Sequence, residues 1–64
     1  MDFGNALNAL RAGHKVARGQ WVKGLWIEIR DDKIKMASIR MGNMETWSGH
    51  SEDLLATDWE IVDG

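Results

Sequence analysis

Leu25-Trp26-Ile27-Glu28-Ile29-Arg30-Asp31-Asp32-Lys33-Ile34-Lys35-Met36 is the stretch on which the fold turns. Leu25, Ile27 and Ile29 alternate with Trp26, Glu28 and Arg30, the period of a strand with one apolar face. Asp31-Asp32 is a turn signal, because Asp bonds its own backbone and tolerates unusual φ. The apolar pattern resumes at Lys33 and predicts a second strand from Lys33 to Met41. Ile34 and Met36 share one parity and Ile39 and Met41 the other, so a bulge at Ala37-Ser38 is expected. Gly42-Asn43 reads as a tight turn with Gly first, as a type II′ hairpin prefers, and Met44 to Trp47 as a third strand.

Upstream, residues 2 to 12 carry Phe3, Ala6, Leu7 and Leu10 at helical spacing, with Asp2 suited to the N-cap. Arg11 fits the negative end of that helix, and Gly13 is the expected residue just past it. Lys15 to Arg18 is short and extended, Gly19-Gln20 a turn, and Trp21 to Gly24 an irregular or edge segment. Downstream, Ser48 to His50 is a loop. Ser51 is expected to cap one helical turn over Glu52 to Ala56, and Asp58 to Val62 closes the chain as a strand. The order predicts one α+β domain over residues 1–64: an N-terminal helix on a small antiparallel sheet, with a short helical turn before the last strand.

A chain of 64 residues buries a small core, expected from Phe3, Leu7, Leu10, Val16, Leu25, Ile27, Ile29, Leu54 and Trp59. There is no cysteine, and His14 and His50 stand far apart, so neither a disulfide nor a metal staple is expected. Oligomerisation is the remaining aid to stability. The net charge of −2 and the scattered Lys and Arg argue against duplex nucleic acid as a partner. The apolar runs are too short for a membrane span or a secretory leader, and zero cysteines suit the cytoplasm.

Ser48, His50, Ser51 and Asp53 invite comparison with a hydrolytic triad, but capping and turn roles account for them more simply, and no catalytic residue is assigned. No cofactor is expected either. The tryptophans say more. Trp59 alternates with Ile61 and reads as core. Trp21 and Trp47 lie beside small residues, where an indole face is open for a purine to stack. Arg18 and Lys23 flank Trp21 and suit phosphate oxygens. A subunit interface would use the same tryptophans equally well, and a grip on another protein is the alternative reading.

Phe3-Gly4-x-Ala6-Leu7, Gly13-x-Lys15-Val16-Ala17-Arg18-x-x-Trp21 and Lys23-Gly24-Leu25-Trp26-Ile27 resemble the N-terminal half of the phage Thoeris anti-defense 2 proteins. Trp47 followed by Asp53-Leu54-Leu55-Ala56-x-Asp58-Trp59-Glu60 resembles the C-terminal half more specifically. The chain departs from the common pattern at Thr46, where proline is frequent, at His50, where serine is, and in a short 31–46 segment. The resemblance implies a sponge rather than an enzyme. Such proteins bind, without cleaving, the cyclic ADP-ribose-type signals of Thoeris immunity in the cytoplasm of the infected bacterium. Some relatives also hold cyclic di- or trinucleotides of CBASS immunity at separate sites. It further implies homotetramers with pockets at subunit boundaries. Trp21 and Trp47 are the expected stacking residues, with Arg18, Lys23, Asn5, His50 and Asp53 as polar candidates.

Overall fold

In the computed structural model, which describes residues 1–40 and 42–62, the deciding stretch is a regular hairpin. Strand β2 (Leu25–Arg30) pairs with β3 (Lys33–Ser38) from Leu25↔Ser38 to Arg30↔Lys33 without interruption. The loop is Asp31-Asp32 alone, with φ of 53° and 64°. Positive φ at both central residues is the mark of a type I′ turn, whose twist matches that of the flanking strands.

The expected bulge is absent, because the strand ends where the parity switches. Ile39 leaves the ladder and its N–H donates to the carbonyl of Gly24 at 3.0 Å. Its side chain sits where a Cβ on Gly24 would come within 2.8 Å, and Gly24 has a φ of 87°, so both backbone and space require glycine there. Met41, the expected end of the strand, lies outside the described residues. Met36 pairs with Glu45 of β4 (Glu45–Thr46), so Gly42-Asn43 belongs to a longer connection and not to a two-residue hairpin.

Helix α1 (Phe3–Arg11) forms as expected. The Asp2 carboxylate accepts from the N–H of Asn5 at 2.9 Å. At the other end Gly13 donates to Leu10 and His14 to Ala9, the paired bonds of a Schellman motif, with Gly13 at a φ of 98°. Strand β1 (Val16–Arg18) pairs antiparallel with β2 and with the last strand, β5 (Trp59–Ile61). The sheet order is β4-β3-β2-β1-β5.

Register puts Val16, Ile27 and Met36 in one row on the face that α1 covers, with Ile29 opposite Ile34 beside it. Ala6, Ala9 and Leu10 of the helix meet Val16, Ile27 and Trp59 there. Phe3, Leu7 and Ile29 pack around them as expected. Leu54 does not, being 43% exposed. Helix α2 (Ser51–Leu54) explains this: it starts one residue earlier than Glu52 and stops short of Ala56. His50 takes the N-cap position without a side-chain bond, so Ser51 is a helical residue and not the cap. That turn of the helix buries Asp53 and leaves Leu54 outward.

Candidate functional site

Trp59 is the hub of an aromatic cluster. It is almost fully buried, and its indole N–H donates to the backbone carbonyl of Asp53 at 2.9 Å. Trp21 and Trp47 meet it edge to face, with ring centroids 5.3 and 6.0 Å away, and Phe3 does so at 5.4 Å. Phe3 also lies tilted on Trp47 at 5.6 Å. Edge-to-face contacts of this kind add to the burial energy and fix ring planes.

Backbone bonds set the two outer indoles. The N–H of Trp21 donates to Arg18 at 3.0 Å, closing the turn that leaves β1. The N–H of Trp47 donates to Ile34 at 3.0 Å, extending the β3–β4 ladder by one residue. Both rings are half-buried, and both line one hollow of about 290 Å³ together with Met36, Glu45, His50 and Asp53. Four of the residues singled out from sequence therefore meet here: Trp21, Trp47, His50 and Asp53.

Arg18 does not line this hollow but binds Asp53, which does. Its Nη1 donates to Asp53 Oδ1 at 2.7 Å and its Nε to Asp58 Oδ1 at 2.8 Å, with the Arg18 side chain 9% exposed. The bonds to Asp58 and then to Asp53 raise the Arg18 pKa against the opposing effect of burial. The bond from Arg18 in turn holds the Asp58 carboxyl below its ordinary value. Arg18 is thus engaged by two carboxylates of its own chain. Asp53 fixes α2 to β1 as well as lining the hollow, a role that no local sequence signal announces. The same bond directs the Asp53 carboxylate to Arg18, which does not favour a His50–Asp53 relay.

Lys23 is exposed and stands elsewhere, in a larger groove of about 550 Å³ on the sheet face that α1 leaves uncovered. Trp21 lines this groove too, so the two hollows share it. Asn5 lies on α1 and lines neither. The groove also holds Trp26, on the strand face opposite Ile27 and Ile29. Its N–H donates to Glu28 at 2.9 Å, and the Lys15 ammonium lies 4.8 Å from its ring centre. That N–H bond, helped by Arg30, lowers the Glu28 pKa against desolvation. Among the described residues no group of acidic, histidine or cysteine side chains is arranged to hold a metal, and no helix is long and apolar enough to cross a membrane.

The family model described as Tad2-like, Thoeris anti-defense 2-like domain, matches residues 1–62. No curated protein matches the chain.

Proposed function

The chain belongs to the Thoeris anti-defense 2-like family, and from that premise we propose that it is a sponge for cyclic ADP-ribose-type nucleotides. It acts in the cytoplasm of the infected bacterium by holding the signal without cleaving it. The observation that carries this reading is the hollow between Trp21 and Trp47, whose ring planes are set by contact with the buried Trp59. Two fixed indoles offer stacking surface to a base at roughly 1–3 kcal/mol per base. His50 and Asp53 add polar partners at the wall.

The hollow is at the lower edge of the range for small-molecule sites, about 300–1,000 Å³, and is partly open to solvent. Completion by a second copy fits that shape. Leu54 and Leu55, 43% and 82% exposed, project from the helix that carries His50 and Asp53. In the proposed dimer or tetramer, a subunit contact centred on these leucines sets another chain against the helix whose Asp53 lines the hollow. Such a contact also supplies burial that so short a chain lacks.

The test is to incubate the protein with cyclic ADP-ribose isomers, remove the unbound fraction, heat the protein and assay what is released. A sponge returns intact nucleotide. Recovery of a hydrolysed product makes the protein an enzyme, and nucleotide that stays free throughout removes the reading. Cyclic di- and trinucleotides are the second class to titrate.

A further inference from the structure

The two hollows that share Trp21 carry opposite charge. On the Trp47 side the described lining includes the carboxylates of Glu45 and Asp53, and no lysine or arginine. Arg18, which binds Asp53, does not reverse the sign, because its one guanidinium is shared between Asp53 and Asp58. On the other side of Trp21 the described lining of the groove includes Lys15, Lys23 and Arg18, the last held by Asp53 and Asp58, with Glu60 as its carboxylate. Size points the same way. At about 290 Å³ the Trp47 side is just below the usual range for a whole small-molecule site, about 300–1,000 Å³, which suits part of a ligand.

We propose that Trp21 is a charge partition that fixes the direction in which a nucleotide enters. The base and sugar hydroxyls go to the Trp47 side, where Glu45 and Asp53 accept hydrogen bonds from hydroxyl and amino groups. The phosphates stay on the Lys23 side. A phosphate placed between Trp21 and Trp47 would face like charges in a partly desolvated hollow, where Coulomb repulsion is stronger than in water. This rests on the proposed nucleotide capture and adds an orientation to it.

Lys23→Gln and Glu45→Gln test the partition, since both residues are exposed and neither substitution disturbs the core. The probe is a cyclic ADP-ribose isomer, titrated calorimetrically at about 50 and about 300 mM salt, where screening differs strongly. Lys23→Gln is expected to weaken binding roughly threefold to tenfold at the lower salt, and to flatten the salt dependence. Glu45→Gln is expected to bind no more tightly than the wild type. If phosphates occupy the Trp47 side, removing the Glu45 charge relieves repulsion and tightens binding, which overturns the proposal. Wild-type affinity in Lys23→Gln overturns it equally. A wild-type protein that binds none of the isomers removes the proposed function itself, and the partition with it.

Discussion

Arg18 Nη1 lies 2.7 Å from Asp53 Oδ1, joining the end of β1 to α2 between residues 35 positions apart. The pair is nearly buried on both sides, at 9% and 10% side-chain exposure. Deleting one member of a buried pair strands the other in a poor dielectric. Arg18→Gln is therefore expected to lower the thermal midpoint clearly, while Lys23→Gln, a cation exposed in the next turn, leaves it near that of the wild type. Equal midpoints for the two variants would show that α2 is held in place by packing alone.

Acid should loosen the same corner. The Asp58 carboxyl has a folded pKa below its ordinary value, first because Arg18 Nε donates to it at 2.8 Å. A lowered folded pKa means that the unfolded chain binds the proton more readily. The contribution to stability is thus complete above the unfolded carboxylate value, about 3.9, and is lost as pH falls through the lower folded value. Asp58→Asn should be less stable at neutral pH and show a shallower fall in stability toward acid. Parallel stability–pH curves for the two proteins would refute the linkage.

Two tryptophans that look alike in sequence should behave differently. Trp59 is 2% exposed and contacts all three other rings of the cluster. Truncating an aromatic residue in a core costs about 3–5 kcal/mol, comparable with the whole stability of a small domain. Trp59→Ala should leave little folded protein at ambient temperature. Trp47→Ala removes a half-buried wall of the hollow, so it should keep the fold at a smaller cost and lose capture. Circular dichroism melts and nucleotide titration on both variants separate the roles, and similar melting would merge them.

The hairpin turn can be improved. Asp31 and Asp32 both sit at positive φ, a conformation costing an L residue about 1 kcal/mol, which Asp only partly offsets through local hydrogen bonding. Asn-Gly is the preferred pair for a type I′ turn. Asp31→Asn with Asp32→Gly should raise stability by about 1 kcal/mol in a denaturant titration, without a change in ligand capture. A loss of stability would mean that these carboxylates do more than close the turn.

Local pattern made most of the frame legible. Alternation marked β2, the stripe from Phe3 to Leu10 marked α1, and Asp2 and Gly13 bounded it. What misled was the parity switch after Ala37, which a bulge and a strand end explain equally well on sequence alone. Gly24 decides between them only in three dimensions, by leaving room for Ile39. The hollow was half legible, since Trp21, Trp47, His50 and Asp53 do converge. The engagement of Arg18 by Asp53 and Asp58 was not, because it spans 35 and 40 positions and depends on register between β1 and β5.

Capture strong enough to silence a signal sets the last expectation. Nanomolar binding corresponds to about −12 kcal/mol. In the proposed complex, stacking of a base on Trp21 and Trp47 would supply roughly 1–3 kcal/mol per base. The remainder has to come from polar contacts and from a site already formed before the ligand arrives, which avoids ordering costs on binding. The hollow on the Trp47 side is only about 290 Å³ on one chain, and in the proposed assembly a second copy adds to its wall. Leu55→Asp tests this cleanly, because Leu55 is 82% exposed and lines neither hollow. Light scattering should give a mass above 7.2 kDa for the wild type and close to it for the variant. The folded variant should bind a cyclic ADP-ribose isomer at least tenfold more weakly, a loss of about 1.4 kcal/mol or more. Undiminished affinity in a folded monomer would mean that a single chain holds the whole site. A wild type that is itself monomeric would remove the shared pocket altogether.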